Sequence, residues 1–346
     1  MPDDCLVSAL VMGWRANPSI EVTGVVDLSI VIVNWNVEDL LRQCLHSLLD
    51  RASLVSAEEK LWRTECGRIF EILVVDSASS DGSVDMVRDE FPQVHLYASE
   101  ENLGYSGGNN LGLSKSLGEY ILLLNPDTRV LDSALDKMIS YLRAHPEVGV
   151  VGPQLSYPDG QIQSSRRRFP GLATALVEST FLEKWMPRHR VLAHYRMLDR
   201  PDDEISQVDW LVGACLLVRA DVLDSVGVID DQYFMYSEEL DWQKRMRGAG
   251  WTITYLPSAR IIHYEGKSSE QVGALTHIRF SRSKVRYFYQ HHGRLAGRIV
   301  QVWLLLNYVY ECGIESTKWL LGHKRAMRQS RIRAYGQVLR DGLWGQ

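Results

Sequence analysis

FEILVVDSASSDGSVDMVRDEFPQVHLYASEENLGYSGGNNLGLSKSLGEYILLLNPDTR, residues 70–129, carries three short apolar runs, at 72–75, 94–97 and 120–124. Each is rich in Val, Ile or Leu and bounded by turn formers, as buried strands are. The two stretches between them can be helical. That alternation predicts β-α-β-α-β and a parallel sheet covered on both faces. In such sheets ligands bind beyond the carboxyl ends of the strands. Asp76 follows the first run, and Asn125 and Asp127 follow the third. Both aspartates are therefore candidates for one crevice, although Asp76 could equally cap a turn and Asn-Pro-Asp-Thr is itself good turn chemistry.

Working outward, residues 28–33 (LSIVIV) read as the first strand, ending at Asn34-Trp35-Asn36. Residues 38–49 carry apolar positions at helical spacing. Residues 50–69 are polar and mixed, an insertion before the next strand. Ser80 or Asp81 can cap the helix after Asp76. The glycines of 102–110 let backbone approach a ligand or a strand closely. A helix is expected at 131–142, a strand at 148–151, and a turn at Asp159-Gly160. Residues 169–207 show no clean period; helices and a loop beside the crevice are expected there. A single strand is expected over 208–219 and a short helix over 221–226. Residues 238–246 read as a helix with Ser237 as N-cap, and 252–256 and 259–262 as two short strands ending at His263. Residues 275–335 are mostly helical. Within them 299–310 (IVQVWLLLNYVY) is apolar nearly all round. It fits either a buried helix or an interfacial one beside anionic lipid.

The chain has 346 residues, 45% hydrophobic and 23% charged, enough for one large α/β domain with additions. Its net charge of −5 makes no case for nucleic acid. The charge is uneven: residues 263–346 carry 14 Lys/Arg against 5 Asp/Glu. A basic tail suits an anionic surface or partner, or forms a solvated face. Five scattered cysteines without C-x-x-C spacing point to a reducing compartment and no structural zinc. Asp3 and Asp4 stand where a signal peptide would be positive, and no apolar run reaches 18 residues. The expected location is cytoplasmic, with peripheral contact at the inner face of the membrane as an option for the tail.

Seven blocks in order resemble the family 2 glycosyltransferases of the GT-A fold, in the rhamnosyltransferase-like branch. They are SIVIVNWN at 29–36, EILVVDSASSDGS at 71–83, NLGYSGGNN at 102–110, YILLLNPDT at 120–128, GACLLVRADVLDSVG at 213–227, FMYSEELDWQKRMRGAGW at 234–251 and HYEGKSS at 263–269. The resemblance implies an α/β, Rossmann-like, mostly parallel sheet flanked by helices, with a C-terminal helical extension. Residues 1–26 would form an N-terminal extension and 27–270 the catalytic domain, divided into a nucleotide-binding half (27–130) and an acceptor half (131–270). Residues 271–346 would form a basic helical region.

The resemblance further implies an inverting transferase that uses a nucleotide-diphospho-sugar donor and a divalent cation, Mg²⁺ or Mn²⁺. The acceptor would be a cell-surface polysaccharide or a polyprenyl-linked glycan. L-rhamnose from dTDP-rhamnose leads among donors, with UDP-hexose and galactofuranose as rivals. Asp76 matches the residue that contacts base or ribose, with Asn34 and Asn36 lining that end and Gly107 and Asn109 completing the donor side. Asp127 matches the metal-binding position and also contacts the donor. His263 matches a histidine of the metal and diphosphate site, and could instead be a structural histidine. Glu239 matches the catalytic base, with Glu238 as its competitor. The family's D-x-D motif is here Asn125-Pro126-Asp127, so one carboxylate is an amide. That departure keeps a non-catalytic nucleotide-sugar scaffold open. A nucleotidyltransferase would need a Gly- and Arg-rich loop where Asn34-Trp35-Asn36 stands. Arg166–Arg168 could hold phosphate or be solvated, and Asp241 with Arg245, at i and i+4, is expected to be a surface pair.

The chemistry asks for these residue types. A cation tethered by a carboxylate offsets the charge of a leaving diphosphate. A carboxylate in the first turn of a helix is held charged by the helix dipole and can take the acceptor's proton.

Overall fold

The computed structural model describes residues 26–265 and 274–343. Nearly all of the expected 1–26 extension and the end of the HYEGKSS block lie outside the described residues.

β1 (Leu28–Asn34) is buried except at the half-buried Val33. Leu28, Ile30 and Ile32 pack with Leu41, Cys44 and Leu45 of α1 (Glu38–Leu49), while Val31 joins Leu113 on the opposite face. This is the alternation a doubly covered strand requires. The insertion folds as a hairpin, β2 (Ser53–Ser56) and β3 (Leu61–Arg63), which pairs antiparallel with the start of β4 (Ile69–Ser77). α2 (Ser83–Glu90), β5 (His95–Ser99), α3 (Gly104–Lys115) and β6 (Tyr120–Leu124) complete the expected alternation. β4 and β6 flank β1 in parallel, and β5 lies parallel to β4. Asp81 does more than serve α2. One oxygen accepts from Ser83, and the other accepts from the Glu38 N–H at 2.9 Å, at the start of α1.

β7 (Thr128–Val130), α4 (Ala134–Ala144), β8 (Val148–Ser156), β9 (Ile162–Gln163) and β10 (Arg166–Arg167) follow. Gly160, with φ 85°, makes the expected turn before β9. The aperiodic stretch holds three short helices, α5 (Leu172–Val177), α6 (Phe181–Trp185) and α7 (Arg190–Tyr195), before β11 (Ser206–Gln207). The strand expected over 208–219 is two. β12 (Trp210–Leu211) pairs with β10 in a separate two-stranded sheet, whereas β13 (Cys215–Arg219) runs antiparallel between β6 and β8. The break falls at Gly213, where an added Cβ would lie 3.2 Å from the Tyr105 hydroxyl.

α8 (Asp221–Val226) and α9 (Glu238–Gly248) lead to β14 (Thr252–His263), which joins the two strands expected there. α10 (Ala274–Leu320) breaks at Gly293 (φ 83°), and α11 (Arg325–Asp341) packs back on it. The main sheet runs β11-β14-β8-β13-β6-β1-β4-β3-β2, with β5, β7 and β9 paired to β4, β14 and β8. It is the expected mostly parallel sheet flanked by helices, with a C-terminal helical extension.

The apolar 299–310 stretch divides by face. Val300, Leu304 and Tyr308 are buried in the helical layer, and the Trp303 Nε1–H donates to the Leu176 carbonyl at 2.8 Å. Ile299, Val302, Leu306 and Val309 are exposed, in line with Leu295. Among the described residues no helix is long and apolar enough to cross a membrane.

Candidate active site

A cavity of about 340 Å³ opens at the carboxyl ends of β1, β4 and β6. Asp127, Glu239 and His263 share its wall, with Trp35, Ser77, Tyr105 and Gly213. Sheet register assembles the first part. β14 pairs antiparallel with β7, setting His263 opposite Thr128, the residue after Asp127. The Tyr264 N–H donates to the Asp127 carbonyl at 2.9 Å and locks that register. His263 Nδ1 lies 2.9 Å from Gln163 Oε1, so Nδ1–H donates there. Nε2 is left facing Asp127 Oδ1 at 3.3 Å, buried without a hydrogen-bond partner. In the neutral imidazole that nitrogen carries a lone pair, and a cation held between it and the carboxylate would be bound by both, with the ring oriented by its other nitrogen. The pair therefore fits a divalent ion, and phosphate oxygens and water would have to complete its coordination. Among the described residues no group of three or more His, Cys, Asp or Glu gathers as a metal cluster.

The start of α9 also lines this cavity. Its entry is strained: Tyr236 and Ser237 both take left-handed backbone, φ 73° and 65°. Ser237 holds the N-cap position without the expected side-chain cap bond. α3 holds this entry in place. Gly104, itself left-handed at φ 67°, lies against Phe234, where a Cβ would collide with the Phe234 carbonyl and ring. The Tyr105 N–H donates to that carbonyl at 3.0 Å, and the Ser106 hydroxyl donates to the Tyr233 carbonyl. Strain persists where surroundings over-determine it, and here it aims two consecutive glutamates.

Glu238 and Glu239 each leave one carboxylate oxygen buried without a partner. Burial pushes the Glu238 carboxyl well above the ordinary carboxylate range, and the charge of Glu239 adds to it. Burial raises Glu239 as well, but the backbone amides of Glu239, Gly213 and Leu240, with the Arg167 charge, pull it back. The two environments differ: burial and a like charge disfavour the ionised form of Glu238, whereas amides and a nearby guanidinium favour that of Glu239. The Tyr105 hydroxyl donates to the Gly213 carbonyl at 2.8 Å, fixing the bend over which Glu239 packs.

The remaining nominated residues stand beside this cavity and do not line it. Asn34 Nδ2 donates to Asp76 Oδ2 at 2.8 Å, and Asp76 Oδ1 accepts from the Ser79 N–H at 2.8 Å. Asn36 Oδ1 accepts from the Ser80 N–H at 2.7 Å. These bonds tie the end of β1 to the end of β4. Asn109 donates to the Tyr105 carbonyl within α3, and Gly107 lies one turn beyond Leu103. Of the three arginines, Arg166 is tied to Asp202 and Pro201, and Arg168 to Asp199. Arg167 has no carboxylate within ion-pair distance among the described residues. The Asp241–Arg245 pair is not a surface one. Asp241 is fully buried and also accepts from His291 Nε2 at 2.6 Å, because α10 covers that side of α9.

The family model described as Glycosyl transferase family 2 matches residues 29–209, more than half of the chain. This chain is a family 2 glycosyltransferase. The glycosyltransferase is 31% identical over 214 residues to the N-acetylglucosaminyl-diphospho-decaprenol L-rhamnosyltransferase of Mycobacterium tuberculosis, an overlap covering 58% of this chain and 69% of that one. Its fold is similar to GalNAc-T7 with UDP, GalNAc and Mn²⁺ at a TM-score of 0.51 and 15% identity, covering 77% of this chain and 50% of that chain. It is also similar to the mannosyltransferase PcManGT from Pyrobaculum calidifontis in complex with GDP-Man and Mn²⁺, at a TM-score of 0.50 and 15% identity over 90% of this chain and 86% of that one.

Sequence reasoning missed several residues of this glycosyltransferase's cavity: Trp35, Ser77, Tyr105, Phe234 and Arg279. Trp35 and Ser77 each sit one position from a nominated residue. Side chains on a strand alternate faces, so a one-residue offset moves the lining role to the neighbour. Arg279 carries no motif and enters from α10, a distant part of the chain.

Proposed function

We propose that this glycosyltransferase moves a sugar from a nucleoside diphosphate to a glycan or polyprenyl-diphosphate-linked acceptor, with inversion and Glu239 as general base. The observation that carries this reading is the pairing, on one cavity wall, of the buried unpartnered Glu239 oxygen with the unpartnered His263 Nε2 beside Asp127. The acceptor oxygen attacks the anomeric carbon from the face opposite the diphosphate. The bond from that carbon to the phosphate oxygen breaks, Glu239 takes the hydroxyl proton, and the nucleoside diphosphate departs. Gly213 and Tyr105 hold Glu239 in place, since a wandering base loses most of its advantage. Asp127 and His263 would hold Mg²⁺ or Mn²⁺, which offsets the charge gathering on the leaving diphosphate. The Asn34–Asp76–Ser79 network, with Asn36, Gly107 and Asn109, would shape the nucleotide end of the donor site. This divides the work between a nucleotide-binding half, 27–130, and an acceptor half, 131–270.

L-rhamnose from a dTDP donor is the leading sugar, supported by the M. tuberculosis relative, whose name states an L-rhamnosyltransferase acting on a diphospho-decaprenol acceptor. The exposed apolar stripe from Leu295 to Val309 would rest on an anionic membrane surface, where such an acceptor resides.

Calorimetric titration with dTDP and UDP, each with and without Mn²⁺, tests the proposal. Metal-dependent binding of dTDP over UDP is the expected result. Preference for UDP would remove rhamnose as the leading sugar. No binding of either by folded protein would remove both donors and favour a non-catalytic scaffold or a donor built on another nucleotide.

A further inference from the structure

A second cavity, of about 660 Å³, adjoins the first between α10 and the segment before α9. Phe234, Met235 and Arg279 line both cavities, so the two share a wall. Arg279, Arg282 and Arg286 all line the second. Their spacing of three and four residues sets them on one helix face. Arg279 lies over the Phe234 ring, 4.4 Å from its centroid. Arg282 leaves its Nε buried without a partner, and its nearest carboxylate, Asp341, is 3.7 Å away. Arg286 donates to the Gln232 side-chain carbonyl and has no ion pair among the described residues. Asp230 on the rim accepts from the Gln232 N–H at 3.0 Å.

Three guanidinium groups on one wall repel one another unless an anion joins them, and the guanidinium fork matches phosphate oxygens. We propose that this cavity binds the diphosphate of a diphosphate-linked acceptor, whose sugar reaches through the shared wall to Glu239. This rests on the transferase reading of the adjoining cavity. The two cavities would take the two ends of one molecule, with the charged linkage at the arginines and the reacting hydroxyl at the base.

The test titrates the full chain, metal-free in EDTA, with farnesyl diphosphate and separately with inorganic pyrophosphate. Both are expected to bind, and the Arg282→Gln/Arg286→Gln double variant to weaken both at least tenfold. The Asp127→Asn variant should leave them unchanged. Should the double variant unfold, Arg286→Gln alone is expected to weaken binding severalfold. Wild-type affinity in the arginine variants, or loss confined to Asp127→Asn, would overturn the assignment. So would binding of farnesyl diphosphate and farnesol without pyrophosphate, because the cavity would then read the chain and not the charge. In transfer assays the double variant should raise the acceptor KM and leave the donor KM alone. A protein that binds neither dTDP nor UDP with Mn²⁺, yet takes pyrophosphate at Arg282 and Arg286, would sink the donor reading of the first cavity and leave the anion site standing.

Discussion

Glu238 and Glu239 are neighbours with different surroundings, and their difference is testable at the level of single atoms. Glu239 must be unprotonated to accept a proton. Burial holds its carboxyl above the ordinary 4.5, so kcat/KM should fall, as pH drops, through a pKa higher than that. Glu239→Gln should lower kcat by about 10²–10⁴-fold while donor binding persists. Burial and the neighbouring Glu239 charge disfavour the ionised form of Glu238, so Glu238→Gln should keep most activity and leave the acid limb where it was. A pH–rate profile of the three proteins decides between them; a collapse in Glu238→Gln with a healthy Glu239→Gln would reverse the roles. Asp127 was legible in the sequence because it follows a strand that could be read from its apolar run. The difference between the two glutamates was not, because it depends in part on the Gly213 amide and the Arg167 charge, far away in the chain.

At the scale of elements, α3 shows how a weak signal carries position. Its glycines stood out in the sequence without saying what they approach. Gly108 and Gly112 face Val33 and Val31 of β1, and Gly104 faces Phe234. The helix thus clamps onto the sheet at one end and holds the strained entry to α9 at the other. Gly104→Ala adds a Cβ at a left-handed position and against a backbone carbonyl. It should cost on the order of 2 kcal/mol in a denaturant titration, and lower kcat in the surviving fold by displacing Glu239. A variant that keeps full kcat would show that α3 does not set the base. The single strand read over 208–219 failed for a related reason: a run of apolar residues does not reveal that its two ends belong to different sheets.

At the scale of the molecule, the order of helices and strands was largely readable, and the interleaving was not. β13 sits between β6 and β8, and β7 leaves the first half to pair with β14, the last strand of the second. Both are long-range pairings without a local signature. The charge asymmetry was visible, but the face that accompanies it was not. Leu295, Ile299, Val302, Leu306 and Val309 lie along one exposed line of α10. Leu306→Glu with Val309→Glu should reduce sedimentation with phosphatidylglycerol vesicles and leave transfer to a soluble acceptor unchanged. Equal sedimentation of variant and parent would discard the membrane contact.

β14 also sets a phase. Leu256 is matched to Pro153 of β8 and Arg260 to Gln154, so Pro257, Ser258 and Ala259 have no counterpart. Three unmatched residues, an odd number, exchange the two faces of the strand beyond them. His263 reaches Asp127 only because that exchange has occurred. Losing one residue from this bulge would bring Tyr264 to the place where the imidazole stands, or turn His263 to the wrong side. The ladders on either side could re-form with their hydrogen bonds intact. The length of a three-residue bulge is thus a condition of the approach of His263 to Asp127, held by counting residues along the strand.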